Sequence, residues 1–340
     1  MDIKSDVSWH NSEVKLMKND YILEVNNLKT YFKQPKRKLF KKTEYLKAVN
    51  GVNFKVRKGE VFGLVGESGC GKSTTGQTIV KLIQATDGEI IFNGKDILKL
   101  KNRDLKELRR NIQIIFQDPY SSLNPKKRIG WILEEPLKNY DYKNTRKRKE
   151  KVCEMLEIAG FSKEFYNRYP HELSGGQRQR IIILHALMLN PQLVISDEAV
   201  SALDVSVQAQ ILNLMKRLQN EFNLTYIFIS HDLNVVYYIS DRIAVMYFGE
   251  IVEIADVEEL YNNPLHPYTK ALLSAIPKID KTTGKKRIIL KGDVPDPLNP
   301  PEGCPFHTRC PNVMEICKNK KPEMIENLNK HKVMCHLYQK

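Results

Sequence analysis

The first residues with recognisable chemistry form a glycine-rich loop that follows a short apolar run. Residues 66–73 read Gly-Glu-Ser-Gly-Cys-Gly-Lys-Ser, which fits the pattern G-x-x-x-x-G-K-[ST]. In this pattern the glycines let backbone N–H groups converge on phosphates, the lysine reaches the β- and γ-phosphates, and the last hydroxyl binds Mg²⁺. The spacing therefore predicts a nucleoside triphosphate site with Mg²⁺. Its predicted nucleotide contacts are Gly66, Glu67, Ser68, Gly69, Cys70, Gly71, Lys72, Ser73 and Thr74.

Two consecutive acidic residues end a second apolar run. Leu193–Ser196 leads directly into Asp197 and Glu198. A carboxylate at the C-terminal end of a parallel strand lies at the sheet edge where phosphates bind, so Asp197 is a predicted Mg²⁺ ligand beside Ser73. Glu198 is placed to polarise an attacking water. The acidic pair is informative because the phosphate loop accompanies it.

The elements that must position these residues alternate along the chain. Short apolar runs at 61–65, 193–196 and 224–230 are strands, and the segments 72–83 and 206–221 have helical patterns. Strands alternating with helices predict an α/β fold with a mainly parallel sheet and helices packed around it.

Changes in amino-acid composition and pattern divide the chain into candidate domains. Residues 1–20 form a polar lead-in, and 21–255 carry the α/β pattern, in which a polar, basic stretch at about 118–185 is an inserted helical subdomain. Near residue 256 prolines begin to break the chain into short pieces, which indicates a Pro- and Cys-rich C-terminal extension over 256–340.

Composition excludes several classes of protein. The chain has 340 residues and no apolar run near the roughly 18 residues that a membrane helix needs. Its N-terminus lacks the apolar stretch of a signal peptide, so we expect a cytoplasmic protein in which six cysteines form no disulfide framework. For the net charge of +14, we favour solvated lysine-rich faces over contact with a membrane surface or partner.

A further motif lies between the loop and the acidic pair. Leu173-Ser174-Gly175-Gly176-Gln177 resembles the signature of ATP-binding-cassette (ABC) ATPases. Three more segments then resemble the remaining ABC motifs in the correct order. They are the Q-loop at Gln117, the D-loop at Ser201–Asp204 and the switch histidine His231.

The resemblance implies a fold and a set of roles. The fold is an ABC ATPase core (a P-loop NTPase) with a mixed, mainly parallel sheet. Glu198, His231 and Gln117 are the implied catalytic residues, and Gln117 also joins Ser73 and Asp197 at the Mg²⁺ ion. In the family, the signature of one subunit caps the γ-phosphate bound by the other, so two chains enclose two ATP molecules. The implied contacts with that nucleotide are Ser174, Gly175, Gly176, Gln177 and Asp204.

An aromatic residue that stacks on adenine is also expected. Phe32, at the end of the first strand region, is our choice, and Tyr45 is its rival. Either ring could equally be an ordinary packing residue.

Finer resemblance narrows the class. Residues 116–125, 201–208 and 263–269 look like segments of the F-type ATP-binding subunits of oligopeptide and dipeptide importers. This implies an ATPase coupled to transport, peripheral at the cytoplasmic face of the membrane. Its implied partners are a second, different ABC ATPase, two membrane permease subunits and an extracytoplasmic solute-binding protein, with no nucleic acid.

Two positions depart from the family pattern. Ala199 stands where proline is usual after the catalytic glutamate, and His185 where arginine is usual. We expect the first to loosen the turn after Glu198 and the second to alter a surface contact, with catalysis retained.

Two other functions remain open at this point. One is an importer of the same family for another solute, such as nickel or a glycan. The other is a soluble ABC ATPase acting on nucleic acid or ribosomes, which the basic charge suggests. The stretch between Lys72 and Ser174 carries no heptad run of the kind found in chromosome-type members, which disfavours the second.

Four cysteines crowd the end of the chain in the pattern C-x5-C-x6-C-x17-C: Cys304, Cys310, Cys317 and Cys335. Four thiolates can hold Zn²⁺ or a [4Fe–4S] cluster, and the third alternative is free thiols. Zinc ribbons prefer tighter pairs, so the spacing favours the cluster. The corresponding tail of the peptide-permease family carries a [4Fe–4S] cluster, and the resemblance supports that choice.

Overall fold

The computed structural model describes residues 21–34, 44–118, 122–140, 142–201, 203–276, 288–290, 292, 295–298, 300–327 and 330–339. The predicted lead-in at 1–20 lies outside the described residues, as do residues 119–121 of the Q-loop segment and Ala202 of the D-loop.

Strands and helices alternate through most of the described chain. The strands are β1 (Tyr21–Lys33), β2 (Tyr45–Arg57), β3 (Val61–Val65), β4 (Asp87–Phe92), β5 (Lys95–Asp96), β6 (Ile112–Ile115), β7 (Leu193–Asp197), β8 (Thr225–Ser230), β9 (Arg242–Tyr247), β10 (Glu250–Asp256), β11 (Ile325–Glu326) and β12 (Lys332–Val333). The helices are α1 (Lys72–Ile79), α2 (Asn102–Asn111), α3 (Ile129–Asn139), α4 (Thr145–Ile158), α5 (Gly175–Leu187), α6 (Val205–Phe222), α7 (Leu233–Ile239), α8 (Val257–Asn262), α9 (Pro267–Ser274) and α10 (Glu315–Asn319).

The larger sheet confirms the predicted α/β class. Its strand order is β11-β12-β10-β9-β3-β8-β7-β6. The pairs from β6 through β7, β8 and β3 to β9 are parallel, and those beyond β9 are antiparallel, so the sheet is mixed and mainly parallel. Every residue of β3, β7 and β8 is buried, as expected for strands covered on both faces.

The first two strands belong to a second, antiparallel sheet that the sequence did not predict. Its strand order is β2-β1-β4-β5. β1 runs unbroken from Tyr21 to Lys33, because its register with β2 shifts by a bulge where Asn27 adopts a left-handed φ of 48°. The bulge keeps Leu23, Val25 and Leu28 on the buried face.

Among the described residues, three α-helices, α3 to α5, lie between β6 and β7, in the stretch predicted to be a helical insertion. Their inward faces are fully buried and join the apolar cluster that also contains the central strands; Leu133, Val152, Leu156 and Ile181 are examples. One buried carboxylate, Glu134, links two of these helices by accepting a hydrogen bond of 3.2 Å from Arg148 Nε. No helix among the described residues is long and apolar enough to cross a membrane.

The C-terminal segment packs against the larger sheet. β12 pairs with β10, and several tail side chains share the apolar cluster of the core, including Tyr268, Phe306 and Met334. A fully buried carboxylate on β10, that of Glu253, binds the backbone of the segment before α9. Glu253 accepts hydrogen bonds from the backbone N–H groups of Leu265 and His266, at 2.6 and 3.0 Å. The same carboxylate lies 2.7 Å from His331 Nε2.

His266 gives the stability of this region a pH dependence. Its buried ring caps α9 by accepting the Tyr268 N–H at 3.1 Å, and it lies near Glu253 and Lys270. Burial lowers the pKa of His266 to about 4, from 6.5 in an exposed histidine. As pH falls below about 6.5, the unfolded chain binds a proton that the folded chain does not, so the free energy of unfolding falls.

We therefore expect the lowered pKa of His266 to reduce the free energy of unfolding by about 3 kcal/mol when the pH falls from neutral to about 4. Chemical unfolding across this pH range measures the loss. His266→Asn keeps an N-cap acceptor without the titration, so its stability should fall less steeply as the pH is lowered. Equal slopes for the two proteins would contradict the assignment to His266.

Candidate active site

The phosphate loop connects β3 to the N-terminus of α1. Gly71 caps that helix with a φ of 104°, and a Cβ atom there would lie 2.1 Å from the carbonyl oxygen of Ala48. Only glycine fits this position, since other residues would be strained and would collide with backbone. The loop thus leads into a helix start, whose N–H groups and dipole favour an anion. Thr74 follows in the first turn of α1.

Lys72 is held inside the loop. Its side chain is only 4% exposed, and its ammonium donates hydrogen bonds of 2.9 Å to the carbonyl oxygens of both Gly66 and Glu67. The Cys70 thiol lies 3.8 Å from the same nitrogen, and burial raises the pKa of that thiol. The one cation of this motif is therefore positioned by the loop that surrounds it.

Two of the three predicted Mg²⁺ ligands, Ser73 and Asp197, meet directly. Ser73 Oγ donates a hydrogen bond of 2.7 Å to Asp197 Oδ1 at the end of β7. Burial raises the pKa of the Asp197 carboxyl, and the charge of Glu198 acts in the same direction, whereas Ser73 and Lys72 oppose it. A hydroxyl beside a carboxylate is the oxygen donor set that Mg²⁺ prefers, so these residues fit the ion.

Glu198 brings the three predicted catalytic side chains together. Its carboxylate accepts a hydrogen bond of 3.1 Å from Gln117 Nε2, and its other oxygen lies 3.2 Å from His231 Nδ1. The backbone at Glu198 is left-handed, with a φ of 49°, and its N–H donates to the carbonyl of Ile229 at the end of β8. Gln117 Nε2 also lies 3.3 Å from Ser201 Oγ. Gln117 contacts Glu198 and Ser201, so its place at the Mg²⁺ ion stays a prediction.

The turn after Glu198 is closed without a proline. Ala199 is 3% exposed, and the Ser201 N–H and hydroxyl donate to the Glu198 carbonyl at 3.1 and 2.9 Å. These hydrogen bonds restrain the turn, and the expectation of a loosened turn did not take them into account. The other departure, His185, is half-buried on α5 and not at the open surface, and burial lowers its pKa.

The signature forms the start of α5. Ser174 and Gln177 form a capping box, in which each side chain bonds the other residue's backbone N–H at 3.3 and 3.0 Å. A Cβ at Gly176 would lie 2.5 Å from Val207 Cγ1, so glycine allows α5 to approach α6 closely. Asp204 is the N-cap residue of α6, which places the signature beside the D-loop. Among the described residues, no hydrogen bond joins the signature to the phosphate loop.

The two aromatic candidates for adenine stacking are neighbours at the end of the β1–β2 pair. Phe32 is paired with Leu46 and is 37% exposed, and Tyr45 is paired with Lys33 and is 49% exposed. Both rings are therefore accessible, and Phe32 remains our prediction.

Sequence reasoning missed two residues that contact the phosphate loop from the C-terminal segment. Arg309 donates to the Glu67 carboxylate, and the Tyr268 hydroxyl accepts the Glu67 N–H. These contacts span 242 and 201 residues of sequence, and no local pattern indicates them.

The four clustered cysteines are free thiols in the structure, and three of them are buried. Burial raises the pKa of Cys304 to about 12, and the other three thiols act in the same direction. The four sulfurs are thus close enough to interact electrostatically. Among the described residues, no group of three or more His, Cys, Asp or Glu side chains is arranged to hold a metal ion.

Comparisons with known proteins agree with this geometry. The family profile described as ABC transporter matches residues 49–201, and that of the oligopeptide/dipeptide transporter C-terminal region matches residues 252–317. The oligopeptide transport ATP-binding protein AppF of Bacillus subtilis is 54% identical over 320 residues, which cover 93% of this chain and 97% of AppF. The dipeptide transport ATP-binding protein DppF of Haemophilus influenzae is 47% identical over 95% of this chain and 98% of its own.

A solved structure with the same fold is the dimeric ATP-binding cassette MJ0796 in a post-hydrolysis state with ADP and Pi. It is 29% identical with a TM-score of 0.60, and the match covers 69% of this chain and 98% of that one. Identity, coverage and fold agree with the order of motifs. The chain therefore belongs to the family of ABC transporter ATP-binding proteins, in the group of oligopeptide and dipeptide transport ATPases.

Proposed function

We propose that this chain binds and hydrolyses ATP to drive an importer of oligopeptides or dipeptides. One observation carries the proposal: the Glu198 carboxylate lies between Gln117 and His231, next to the Ser73–Asp197 pair. This is the side-chain set that an ATPase needs at the γ-phosphate. The printed names of the relatives supply the solute class.

Each side chain has a role that its position supports. Lys72 and the loop N–H groups neutralise the phosphates, and Glu198 accepts the proton of the attacking water. The water oxygen forms a bond to the γ-phosphorus while the bond to the bridging oxygen breaks, and ADP leaves with that electron pair. His231 orients the water and the γ-phosphate. Ser73 and Asp197 would hold Mg²⁺, which would supply positive charge that stabilises the phosphates.

We propose that a second, different ABC ATPase completes the site. Among the described residues, the signature of this chain packs against its own α6 and makes no hydrogen bond to its own phosphate loop, which supports an arrangement in which an opposing chain brings a signature to that loop. The dimeric state of MJ0796 supports such an arrangement. Two membrane permease subunits, bound at the region 118–169 after Gln117, and an extracytoplasmic solute-binding protein would complete the importer. This chain would then lie at the cytoplasmic face of the membrane.

We further propose that Cys304, Cys310, Cys317 and Cys335 ligate a [4Fe–4S] cluster. The spacing of the four cysteines and the burial of three of them support this assignment. Arrangement around one metal ion is not required, because each cysteine would bind a different iron.

Glu198→Gln should retain ATP binding and lose at least about 100-fold in turnover, because an amide does not accept the proton of water. Phosphate release by the assembled complex measures turnover, and a fluorescent ATP analogue measures binding. Glu221→Gln, a matched change at an exposed acid on α6, should leave both unchanged. Turnover near that of the wild type would remove Glu198 from its role.

The partners can be identified by affinity purification. A tagged Glu198→Gln chain, loaded with MgATP and extracted in mild detergent, should retain two membrane subunits and a second ATPase. The Lys72→Ala chain should recover less of that ATPase, because it lacks the cation that binds the phosphates. Recovery of ribosomes or nucleic acid without membrane subunits would favour the soluble ATPase.

The cysteine proposal predicts iron. Anaerobically purified protein should contain iron and acid-labile sulfide in equal amounts, with visible charge-transfer absorption. Cys310→Ser should lose them, because it removes a ligand, and Cys153→Ser on α4 should not. Stoichiometric zinc, or no metal, would overturn the proposal.

A further inference from the structure

Glu67, in the phosphate loop, is held by two residues of the C-terminal segment. Arg309 donates two hydrogen bonds to its carboxylate, from Nη1 to Oε2 at 2.8 Å and from Nη2 to Oε1 at 3.1 Å. The Glu67 backbone N–H donates to the Tyr268 hydroxyl at 2.9 Å. A two-pronged guanidinium–carboxylate pair fixes orientation as well as distance.

The same residue is also held from inside the loop. The Glu67 carbonyl accepts a hydrogen bond of 2.9 Å from Lys72 Nζ. The side chain, N–H and carbonyl of Glu67 are thus all engaged, two of them by the C-terminal segment. The position of Glu67 therefore affects the cation that reaches the phosphates.

The groups that hold Glu67 are themselves firmly placed. The ring of Tyr268 is fully buried and lies 4.6 Å from that of Tyr247 and 5.4 Å from that of Phe306, centroid to centroid. Arg309 has a side chain only 10% exposed, and its N–H donates to the Phe306 carbonyl at 3.0 Å. A rigid aromatic support makes these contacts effective in restraining a loop.

We infer that Arg309 is a positioning residue for ATP binding, acting through Glu67 so that the C-terminal segment holds the phosphate loop in its binding geometry. The inference rests on the ATP site proposed above. Without the restraint, the loop samples conformations in which its N–H groups do not converge, and ordering it opposes binding. Arg309 needs no contact with the nucleotide to have this effect.

The full-length chain is tested by equilibrium binding of a fluorescent ATP analogue with Mg²⁺. Arg309→Gln should weaken binding roughly tenfold, as expected when charge-assisted hydrogen bonds are lost. Glu67→Gln should do the same, and Arg309→Lys should lose less because it keeps the charge. Lys321→Gln is the matched control, since it breaks another ion pair between the tail and the core, Lys321 to Glu250 at 2.6 Å. It should leave the affinity unchanged.

A double-mutant cycle separates positioning from general support of the tail. Adding Arg309→Gln to Glu67→Gln should weaken binding no further, because the partner is already lost. An equal further loss would overturn the inference, and so would wild-type affinity in a folded Arg309→Gln chain. If Arg309→Gln fails to fold, wild-type affinity in Glu67→Gln overturns it instead. Failure of the wild-type chain to bind would refute the ATP site itself, a separate result.

Discussion

The hydrogen bond between Ser73 and Asp197 joins parts of the chain that are 124 residues apart. The site depends on the larger sheet, because the sheet brings these two residues together. In a parallel sheet the C-terminal ends of the strands share one edge. The order β3-β8-β7-β6 at that edge delivers the phosphate loop, His231, the acidic pair and Gln117 in turn. Each catalytic group therefore arrives from a different strand, and strand order sets which groups become neighbours.

Burial adds chemistry to this geometry. Asp197 ends a fully buried strand, and burial together with the charge of Glu198 raises the pKa of its carboxyl. Two adjacent carboxylates are costly in such a place unless cations or donors face them. Ser73 and Lys72 partly provide this, and a bound Mg²⁺ would complete it. Glu198 turns aside through a left-handed backbone, so that its carboxylate faces Gln117 and His231.

Features with a local pattern could be predicted from the sequence. β3 has the predicted bounds, and the strands bearing the acidic pair and His231 are within one residue of prediction. The antiparallel sheet was missed because alternation in 47–56 indicates half-burial without indicating a partner strand. The end of α1 was placed four residues too late, because Lys81 adopts a left-handed φ of 57° and donates to carbonyls at 97–100. The roles of Glu253 and Arg309 depend on contacts between distant segments, which spacing does not encode.

Two of the ionic contacts between the C-terminal segment and the core have different consequences. At Glu253 a fully buried carboxylate faces two backbone N–H groups and His331, so this point stabilises the fold of the tail. At Glu67 the contact reaches the phosphate loop. Arg309 and Cys310 are consecutive, so the backbone that carries the guanidinium belongs to the cysteine-rich segment. The Arg309–Glu67 pair therefore joins the cysteine-rich segment directly to the phosphate loop.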